Sequence, residues 1–172
     1  MKKLLFVVDM QEKFVGRGRD TEKFSYDCED LVDRVNKKIL EYKPDEVFYF
    51  KSIAKGGIGG LLGGGNLPKS GTHEAKFVEG LKVVSKNIFE RSKADVMSID
   101  QVVDYVRARN IEQIELVGID GSGSIGLSCI TITNDYNVDI IYDQNCIRSL
   151  SNQKADKMIE KFKKNRTTVI YN

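Results

Sequence analysis

Three polar positions in this chain could do chemistry together, because each lies at the end of a candidate β-strand. Asp9 follows the apolar run from Leu4 to Val8, Lys86 follows a short strand candidate, and Ser124 lies in a turn before an apolar helix-like segment. A carboxylate at the carboxyl end of a buried strand is a candidate catalytic group, because ligands of open α/β sheets bind at that edge. Asp also commonly ends a strand and caps a turn. Position alone leaves both interpretations of Asp9 open.

The elements that must position these residues alternate between strands and helices along the chain. The strand candidates are residues 4–8, 46–50, 82–85, 114–120, 138–143 and 167–171, and the helix candidates are residues 25–42, 72–81, 98–109, 124–133 and 152–164. Alternation of this kind predicts βαβ units with right-handed crossovers. We therefore predict a three-layer α/β/α fold with a Rossmann-like, mostly parallel six-stranded sheet. The carboxyl ends of its strands would bring Asp9, Lys86 and Ser124 together.

The composition of the chain limits the classes of protein to which it can belong. The 172 residues fit a single domain over 1–172, and 27 basic against 25 acidic side chains leave a net charge of +2 with no basic footprint for nucleic acid. No apolar run approaches the roughly 20 residues of a membrane span. The three cysteines, Cys28, Cys129 and Cys146, are odd in number and lack Cys-x-x-Cys spacing, which argues against a disulfide framework and a zinc site. We expect a cytoplasmic protein with reduced thiols.

A glycine-rich stretch interrupts the pattern after the second strand. Residues 55–68 contain seven glycines in fourteen positions, so neither helix nor strand forms there cheaply. The stretch is either a flexible surface loop, spanning about 52–71, or a flap that closes over the site with Ile58, Leu61 and Leu62. A phosphate cradle is not favoured, because no Gly-Lys-Ser/Thr follows.

Several motifs, in order and spacing over nearly the whole chain, resemble the isochorismatase-like hydrolase superfamily. This superfamily is also called the cysteine hydrolases and includes nicotinamidases. The first motif is the most specific. The motifs are Val8-Asp9-Met10-Gln11 followed by Phe14, Lys86-Asn87-Ile88-Phe89, Glu115-Leu116-Val117-Gly118-Ile119, Ile140-Ile141-Tyr142-Asp143-Gln144-Asn145-Cys146, and the helix carrying Ala155 and Met158.

The resemblance implies a role for each of the three positions. In the family, an Asp acts as general base, a Lys holds its charge and stabilises the oxyanion, and a Cys at a helix start attacks a carbonyl carbon. Carried onto this chain, Asp9 is the base and Lys86 the lysine, with Arg91 and Lys93 as rivals for the lysine role. The resemblance also implies a small-molecule substrate and a homo-oligomer. No cofactor is predicted.

The nucleophile position departs from the family. The family pattern Gly-x-x-Thr-Asp-x-Cys, counted from Gly118, places Ser124 where the cysteine belongs, and Gly121-Ser122 replaces the Thr-Asp pair. Cys129 is the nearest thiol, but it would leave only about nine residues before the fifth strand, too few for the connecting helix. We interpret all three cysteines as buried small residues.

The metal site of the nicotinamidases has no counterpart in the sequence. In those enzymes an Asp and two His residues after the second strand hold the ion, whereas the matching segment here is Lys51-Ser52-Ile53-Ala54. The single histidine, His73, falls short of the three or four donors that a metal site needs. We therefore predict no metal and no nicotinamidase activity.

Three hypotheses about function remain. The chain could cleave a vinyl ether as true isochorismatases do without a cysteine, with Asp9 as the acid and Lys86 as its partner. It could hydrolyse an amide with Ser124 as a weak nucleophile that Asp9 activates. It could instead be an inactive relative that serves as a small-molecule-binding or assembly subunit, which extra glycines between Gly121 and Gly126 would favour by loosening the helix start.

Overall fold

The computed structural model describes residues 1–54, 67–163 and 167–171. The glycine-rich stretch predicted as a loop or a flap lies outside the described residues, apart from Leu67 and Pro68. None of the helices in the described ranges combines the length and the apolar character that crossing a membrane requires.

Strands and helices alternate along the described part of the chain. The strands are β1 (Lys3–Val8), β2 (Val47–Ser52), β3 (Ile88–Arg91), β4 (Gln113–Ile119), β5 (Asp139–Arg148) and β6 (Thr167–Ile170). The helices are α1 (Glu12–Val15), α2 (Leu31–Ile39), α3 (Asp100–Ala108), α4 (Ser124–Asp135) and α5 (Asn152–Phe162). Short 3-10 turns lie at Pro44–Glu46, His73–Ala75 and Val96–Ser98.

The strands form one sheet in the order β3-β2-β1-β4-β5-β6, and every neighbouring pair is parallel. Side chains of α3, α4 and α5 pack in the core on one face of the sheet, and those of α1 and α2 pack in the core on the other. The predicted three-layer α/β/α fold is confirmed. The strand order reverses direction between β1 and β4, and such a switch point is where ligands bind in open α/β sheets.

The central strand β1 is buried on both faces. Phe6 and Val8 lie in the core that also contains residues of α3, α4 and α5, whereas Leu5 and Val7 lie in the core shared with α1 and α2. Successive side chains of a strand alternate between faces, so a continuous apolar run is what a doubly covered strand needs. Each fully buried side chain of this size contributes about 1.5–3 kcal/mol. The residue that follows β1 is therefore held on a rigid support.

The third strand lies six residues later than the sequence indicated. Residues 82–85 were predicted to be a strand because of Val83 and Val84, but Val83 is exposed and the Ser85 hydroxyl donates a hydrogen bond to the Val47 carbonyl at 2.6 Å. Pairing with β2 begins only where Ile88 aligns with Tyr49, and it ends where Arg91 aligns with Ser52. This shift changes which residue reaches the carboxyl edge of the sheet.

Two predicted helices are shorter in the structure. The helix predicted at 25–42 begins only at Leu31, because the Asp27 carboxylate accepts a hydrogen bond from the Glu29 amide at 2.9 Å and holds a local turn. Such short-range bonds from Asp compete with helix formation. The segment predicted as a helix at 72–81 contains only the 3-10 turn His73–Ala75.

Candidate active site

Asp9 leaves β1 in a backbone conformation that aims its side chain across the sheet edge. Its φ is +53°, in the left-handed region that Asp tolerates better than most residues. The Asp9 amide donates to the Phe50 carbonyl of β2 at 2.9 Å, and the Asp9 carbonyl accepts from the Gln11 amide at 2.8 Å. Both neighbouring contacts fix the turn, so the position of the carboxylate is set by backbone hydrogen bonds.

One carboxylate oxygen of Asp9 joins residues from two other strand ends. Asp9 Oδ2 accepts a hydrogen bond from Arg91 Nη2 at 2.7 Å and another from Ser124 Oγ at 3.1 Å. Arg91 is the last residue of β3, and Ser124 is the first residue of α4, which follows β4. The structure thus brings Asp9 and Ser124 together, as the sequence predicted.

The electrostatic environment of Asp9 contains two opposing influences. Burial is the largest and raises the pKa of the Asp9 carboxyl above its ordinary value, while the Arg91 charge and hydrogen bonds from Ser52, Ser124 and Arg91 lower it. Among the described residues, Oδ1 of Asp9 has no hydrogen-bond partner of normal geometry. The net pKa is raised, which makes the ionised form of Asp9 a stronger base than an ordinary aspartate.

Ser124 lies where a helix offers partial positive charge. It begins the twelve-residue helix α4, whose first amides have no partners within the helix. The neighbouring amides of Gly123 and Ile125 both donate to the Asp120 carbonyl at 3.0 Å. In the described part of the chain, no acceptor takes the Ser124 amide. This N–H is positioned to stabilise an oxyanion that forms beside the Ser124 hydroxyl.

Lys86 does not reach this cluster, which corrects its predicted place in the site. Lys86 is exposed and precedes β3 by two residues, whereas Arg91 ends that strand at the carboxyl edge. At about 3.3 Å per residue, the five residue steps from Lys86 to Arg91 span up to roughly 16 Å. Arg91, one of the two rivals that the sequence offered, takes the place beside Asp9. Lys86 was assigned to the site because the sequence predicted the third strand at 82–85, six residues before β3 begins.

Arg91 is fixed at both ends of its guanidinium group. Nη2 contacts Asp9, and Nη1 donates to the Lys93 carbonyl at 2.5 Å. The exposed Lys93, the other rival, thus contributes its main chain to the contact. The Arg91 and Asp9 side chains are only 2% and 7% exposed. Each side chain therefore neutralises the charge of the other, which would destabilise the fold if it were buried alone.

Gln11, the last residue of the Val8-Asp9-Met10-Gln11 motif, supports the site, a role that the motif alone did not predict. It is fully buried, and its side-chain amide accepts from the Ser52 amide at 2.7 Å while donating to the Ser52 carbonyl at 3.1 Å and the Ala75 carbonyl at 3.3 Å. These bonds hold the end of β2 next to Asp9. The sequence could have indicated this supporting role. A glutamine that is buried two residues after a catalytic candidate must find partners for both its side-chain donor and its side-chain acceptor.

Close packing explains two glycines in the turn before α4. A Cβ on Gly121 would overlap Tyr142 Oη and Ser149 Oγ, and a Cβ on Gly126 would overlap the Gly121 carbonyl oxygen and Met158 Sδ. Glycine permits this close approach of main chain to its neighbours. The glycines therefore compact the helix start, in contrast to the loosening that the sequence suggested.

We expect Gly126→Ala to destabilise the protein by about 1–3 kcal/mol. Alanine normally favours a helix over glycine, but here its methyl group would overlap a backbone oxygen that cannot rotate away. The measurement is urea denaturation. Gly18→Ala is the matched control, since a Cβ on Gly18 meets nothing within 4 Å. A Gly126→Ala variant as stable as this control would contradict the packing argument.

The cysteines are buried, as predicted. Cys28, Cys129 and Cys146 are free thiols with at most 8% of their surface exposed. Burial is the main influence that raises all three thiol pKa values, that of Cys146 to about 11. A thiolate is the nucleophilic form of cysteine. These thiols are therefore poor candidates for the nucleophile.

The residues at the end of β2 do not fit the metal site of nicotinamidases. Buried Ser52 is bonded to Gln11 through its main chain, and Lys51 pairs with Glu90 at 2.7 Å. His73 is exposed on its 3-10 turn. Within residues 1–54, 67–163 and 167–171, no three His, Cys, Asp or Glu side chains are grouped so that they could hold a metal ion.

Comparisons with known proteins give the family and the fold. The family model described as "Isochorismatase domain" matches residues 3–171. An isochorismatase-like hydrolase from Alkaliphilus metalliredigens superposes with a TM-score of 0.75 at 15% identity, covering 98% of this chain and 93% of its own. N-carbamoylsarcosine amidase from Thermoplasma acidophilum gives 0.72 at 18% identity, with coverage of 99% and 96%. The zinc complex of Pyrococcus horikoshii pyrazinamidase gives 0.74 at 15% identity, with full coverage of both chains. A search of curated protein sequences found no match.

Proposed function

This chain belongs to the isochorismatase family, and from that premise we propose that it hydrolyses an amide-type bond in a small molecule. Ser124 is the nucleophile, Asp9 the acid/base, and Arg91 the cation that holds the Asp9 charge. The observation that carries the proposal is the shared oxygen of Asp9, which accepts from both Arg91 and Ser124. A nucleophile in contact with its base, and a base held by a third group, is the arrangement that activated hydroxyls require.

Differences in exposure support an order in which the substrate meets these groups. Ser124 is partly exposed, whereas the Asp9 and Arg91 side chains lie behind it, 7% and 2% exposed. A substrate therefore meets the Ser124 hydroxyl first. Asp9 then acts through that hydroxyl, and this supports covalent catalysis over direct proton transfer from Asp9 to the substrate.

The reaction follows from these contacts. Ser124 Oγ bonds to the carbonyl carbon while its proton passes to Asp9, and the Ser124 amide with the α4 N-terminus stabilises the oxyanion. Asp9 then returns the proton to the leaving nitrogen as the C–N bond breaks. In the second half, water attacks the acyl-serine, Asp9 accepts a proton from the water, and that proton returns to Ser124 as the ester bond breaks. Arg91 keeps the ionised form of Asp9 available in a buried site.

Vinyl-ether cleavage is a second candidate, favoured by one observation. Burial raises the pKa of Asp9, and a carboxyl that stays protonated at higher pH is a better general acid. In this route the Asp9 proton adds to the terminal vinyl carbon, and water adds to the resulting oxocarbenium ion while giving a proton back to Asp9. The hemiketal then collapses to a carbonyl as its C–O bond breaks and the hydroxyl proton passes to the leaving alcohol. Ser124 forms no covalent bond.

A non-catalytic binding or assembly subunit is the third candidate. Four cavities among the described residues are lined by neither Asp9, Arg91 nor Ser124. A substrate pocket next to the catalytic groups is the usual expectation for an enzyme.

We expect the two catalytic routes to have opposite pH dependence. In the Ser124 route Asp9 must be ionised, so the rate rises as pH increases through the raised pKa of Asp9. In the vinyl-ether route Asp9 must be protonated, so the rate falls over the same range. The measurement is kcat/KM against pH, on a panel of small amides and on isochorismate, because this parameter reports groups of the free enzyme.

Ser124→Ala separates the candidates further. It should abolish amide hydrolysis and leave vinyl-ether cleavage largely intact, because only the first route uses the hydroxyl. Amide turnover that survives Ser124→Ala contradicts the proposed mechanism. Absence of turnover on the whole panel, with tight ligand binding in a thermal-shift screen, favours the binding subunit.

A further inference from the structure

We propose that Asp120 is a positioning residue that holds Ser124 in line with Asp9, an inference that rests on the proposed function. Asp120 follows β4 and lies four residues before Ser124. Its carboxylate oxygen Oδ1 accepts three hydrogen bonds, from the Ser122 amide at 2.8 Å, the Ser122 hydroxyl at 2.7 Å and the Leu150 amide at 3.1 Å. Hydrogen bonds to a charged acceptor are roughly twice as strong as those between neutral groups.

The main chain of Asp120 contributes to the same turn. Its carbonyl accepts from the amides of Gly123 and Ile125, each at 3.0 Å, so this single residue receives bonds from both sides of Ser124. These bonds leave the intervening Ser124 amide without an acceptor among the described residues. The same turn therefore sets the direction of the hydroxyl and leaves one amide to meet an oxyanion.

Asp120 also ties the turn to the connection between β5 and α5. Leu150 donates to the carboxylate, the Ser151 amide donates to Ser122 Oγ at 3.3 Å, and the Gly121 amide donates to the Arg148 carbonyl at 3.0 Å. The two loops that follow β4 and β5 are thus one bonded unit. Catalytic groups must be held within about 0.5 Å of the productive geometry, which a bonded unit achieves better than a single loop.

The role assigned to Asp120 is positional, because its Oδ1 accepts three hydrogen bonds from other groups, while the Ser124 hydroxyl donates to Asp9. The test therefore needs a readout of the Ser124 position that does not depend on turnover. Ser124→Cys supplies one, because the helix N-terminus lowers the pKa of a thiol at this position, while the Asp9 carboxylate, 3.1 Å from Ser124 Oγ, raises it. The native cysteines are buried and give a low background.

The experiment measures the pH dependence of iodoacetamide alkylation in the full chain with Ser124→Cys. Adding Asp120→Ala should raise the thiol pKa by about one unit, which slows alkylation about tenfold at a pH below the pKa. Removing a negative charge would by itself lower the thiol pKa, because it favours the thiolate. A rise in the thiol pKa therefore reports that the thiol has lost its position at the helix start. Loss of the Asp120 charge alone would change this pKa in the opposite direction.

Two further variants act as matched controls. Asp120→Asn keeps an oxygen that can accept the same bonds but loses the charge, so the alkylation rate should stay the same or rise. Asp104→Ala removes an exposed carboxylate from α3 and should leave the rate unchanged. Circular dichroism checks folding. If Asp120→Ala is unfolded, Ser122→Ala replaces it, and this variant should slow alkylation in the same direction by about two- to threefold.

The outcomes separate this inference from the proposed function. A lowered thiol pKa in Ser124→Cys that Asp120→Ala fails to raise overturns the positioning role and leaves the proposed function standing. If Ser122→Ala is the variant measured, an alkylation rate that it leaves unchanged also overturns the positioning role of Asp120. An ordinary thiol pKa in Ser124→Cys combined with Asp9→Asn, which lacks the Asp9 charge, overturns the preorganised helix start on which both rest.

Discussion

Asp9→Asn is expected to lower kcat/KM for amide hydrolysis by about 10²–10⁴-fold, the range that a general acid–base group contributes. Asparagine has nearly the same shape and can still contact Arg91 and Ser124, but it cannot accept the Ser124 proton. The loss should lie in kcat, because Asp9 acts in the chemical step and lies behind the hydroxyl that meets the substrate. The measurement is steady-state kinetics on the amide that the panel identifies as the best substrate.

A matched control guards against an effect of charge alone. Asp104→Asn removes one exposed carboxylate from α3 and should keep full activity. Circular dichroism and the melting temperature show whether Asp9→Asn remains folded. A folded Asp9→Asn variant with kcat/KM near that of the wild type would remove Asp9 from the mechanism.

Arg91→Met is expected to destabilise the protein by about 3–5 kcal/mol, the cost of leaving one member of a buried ion pair without its partner. Methionine fills a similar volume but leaves the Asp9 carboxylate without a positive charge in a site where burial already raises the Asp9 pKa. Removing Arg91 removes one of the causes that lower this pKa. The rise in amide hydrolysis with pH should therefore move to higher pH in this variant. Urea denaturation measures the stability.

Lys51→Met is the matched control for Arg91→Met. Lys51 pairs with Glu90 across β2 and β3 at 2.7 Å, but these side chains are 18% and 44% exposed, so solvent screens the pair. We expect a loss of about 0–1 kcal/mol. Asp9→Asn combined with Arg91→Met should recover part of the stability lost in Arg91→Met, because it removes the uncompensated charge. Equal destabilisation by Arg91→Met and Lys51→Met would contradict the importance assigned to the buried pair.

The sheet and the place of Asp9 could be predicted because their signals are local. A strand covered on both faces requires a continuous apolar run, and the run before Asp9 is the clearest in the chain. The contact between Asp9 and Ser124 also followed from topology, since β1 and β4 are neighbours and both residues come after their carboxyl ends.

The cationic partner of Asp9 could not be predicted with the same certainty, because its position depends on where a four-residue edge strand begins. Two adjacent valines suggested a strand at 82–85, while β3 in fact starts at Ile88. Edge strands carry weak apolar patterns, and the register is decided by contacts far away in sequence, such as the pairing of Ser52 with Arg91. Because β3 begins six residues later than predicted, Arg91 and not Lys86 lies beside Asp9.

The role of the turn before Ser124 was also hidden from the sequence. Glycines at 121 and 126 suggested flexibility, whereas their neighbours show that they permit close packing against Tyr142, Ser149 and Met158. The Asp120 carboxylate, which bonds to Leu150, depends on a contact thirty residues away. The homo-oligomer, the cytoplasmic location and the absence of a metal stay predictions.

The most direct test of the central claim is to locate the acyl group that the mechanism places on Ser124. The protein is incubated with p-nitrophenyl acetate, quenched in acid and mapped by peptide mass spectrometry. We predict acetylation of Ser124 in the wild type and strongly reduced labelling in Asp9→Asn. Labelling that is absent from Ser124, or that is equally strong in Asp9→Asn, would contradict a serine nucleophile activated by Asp9.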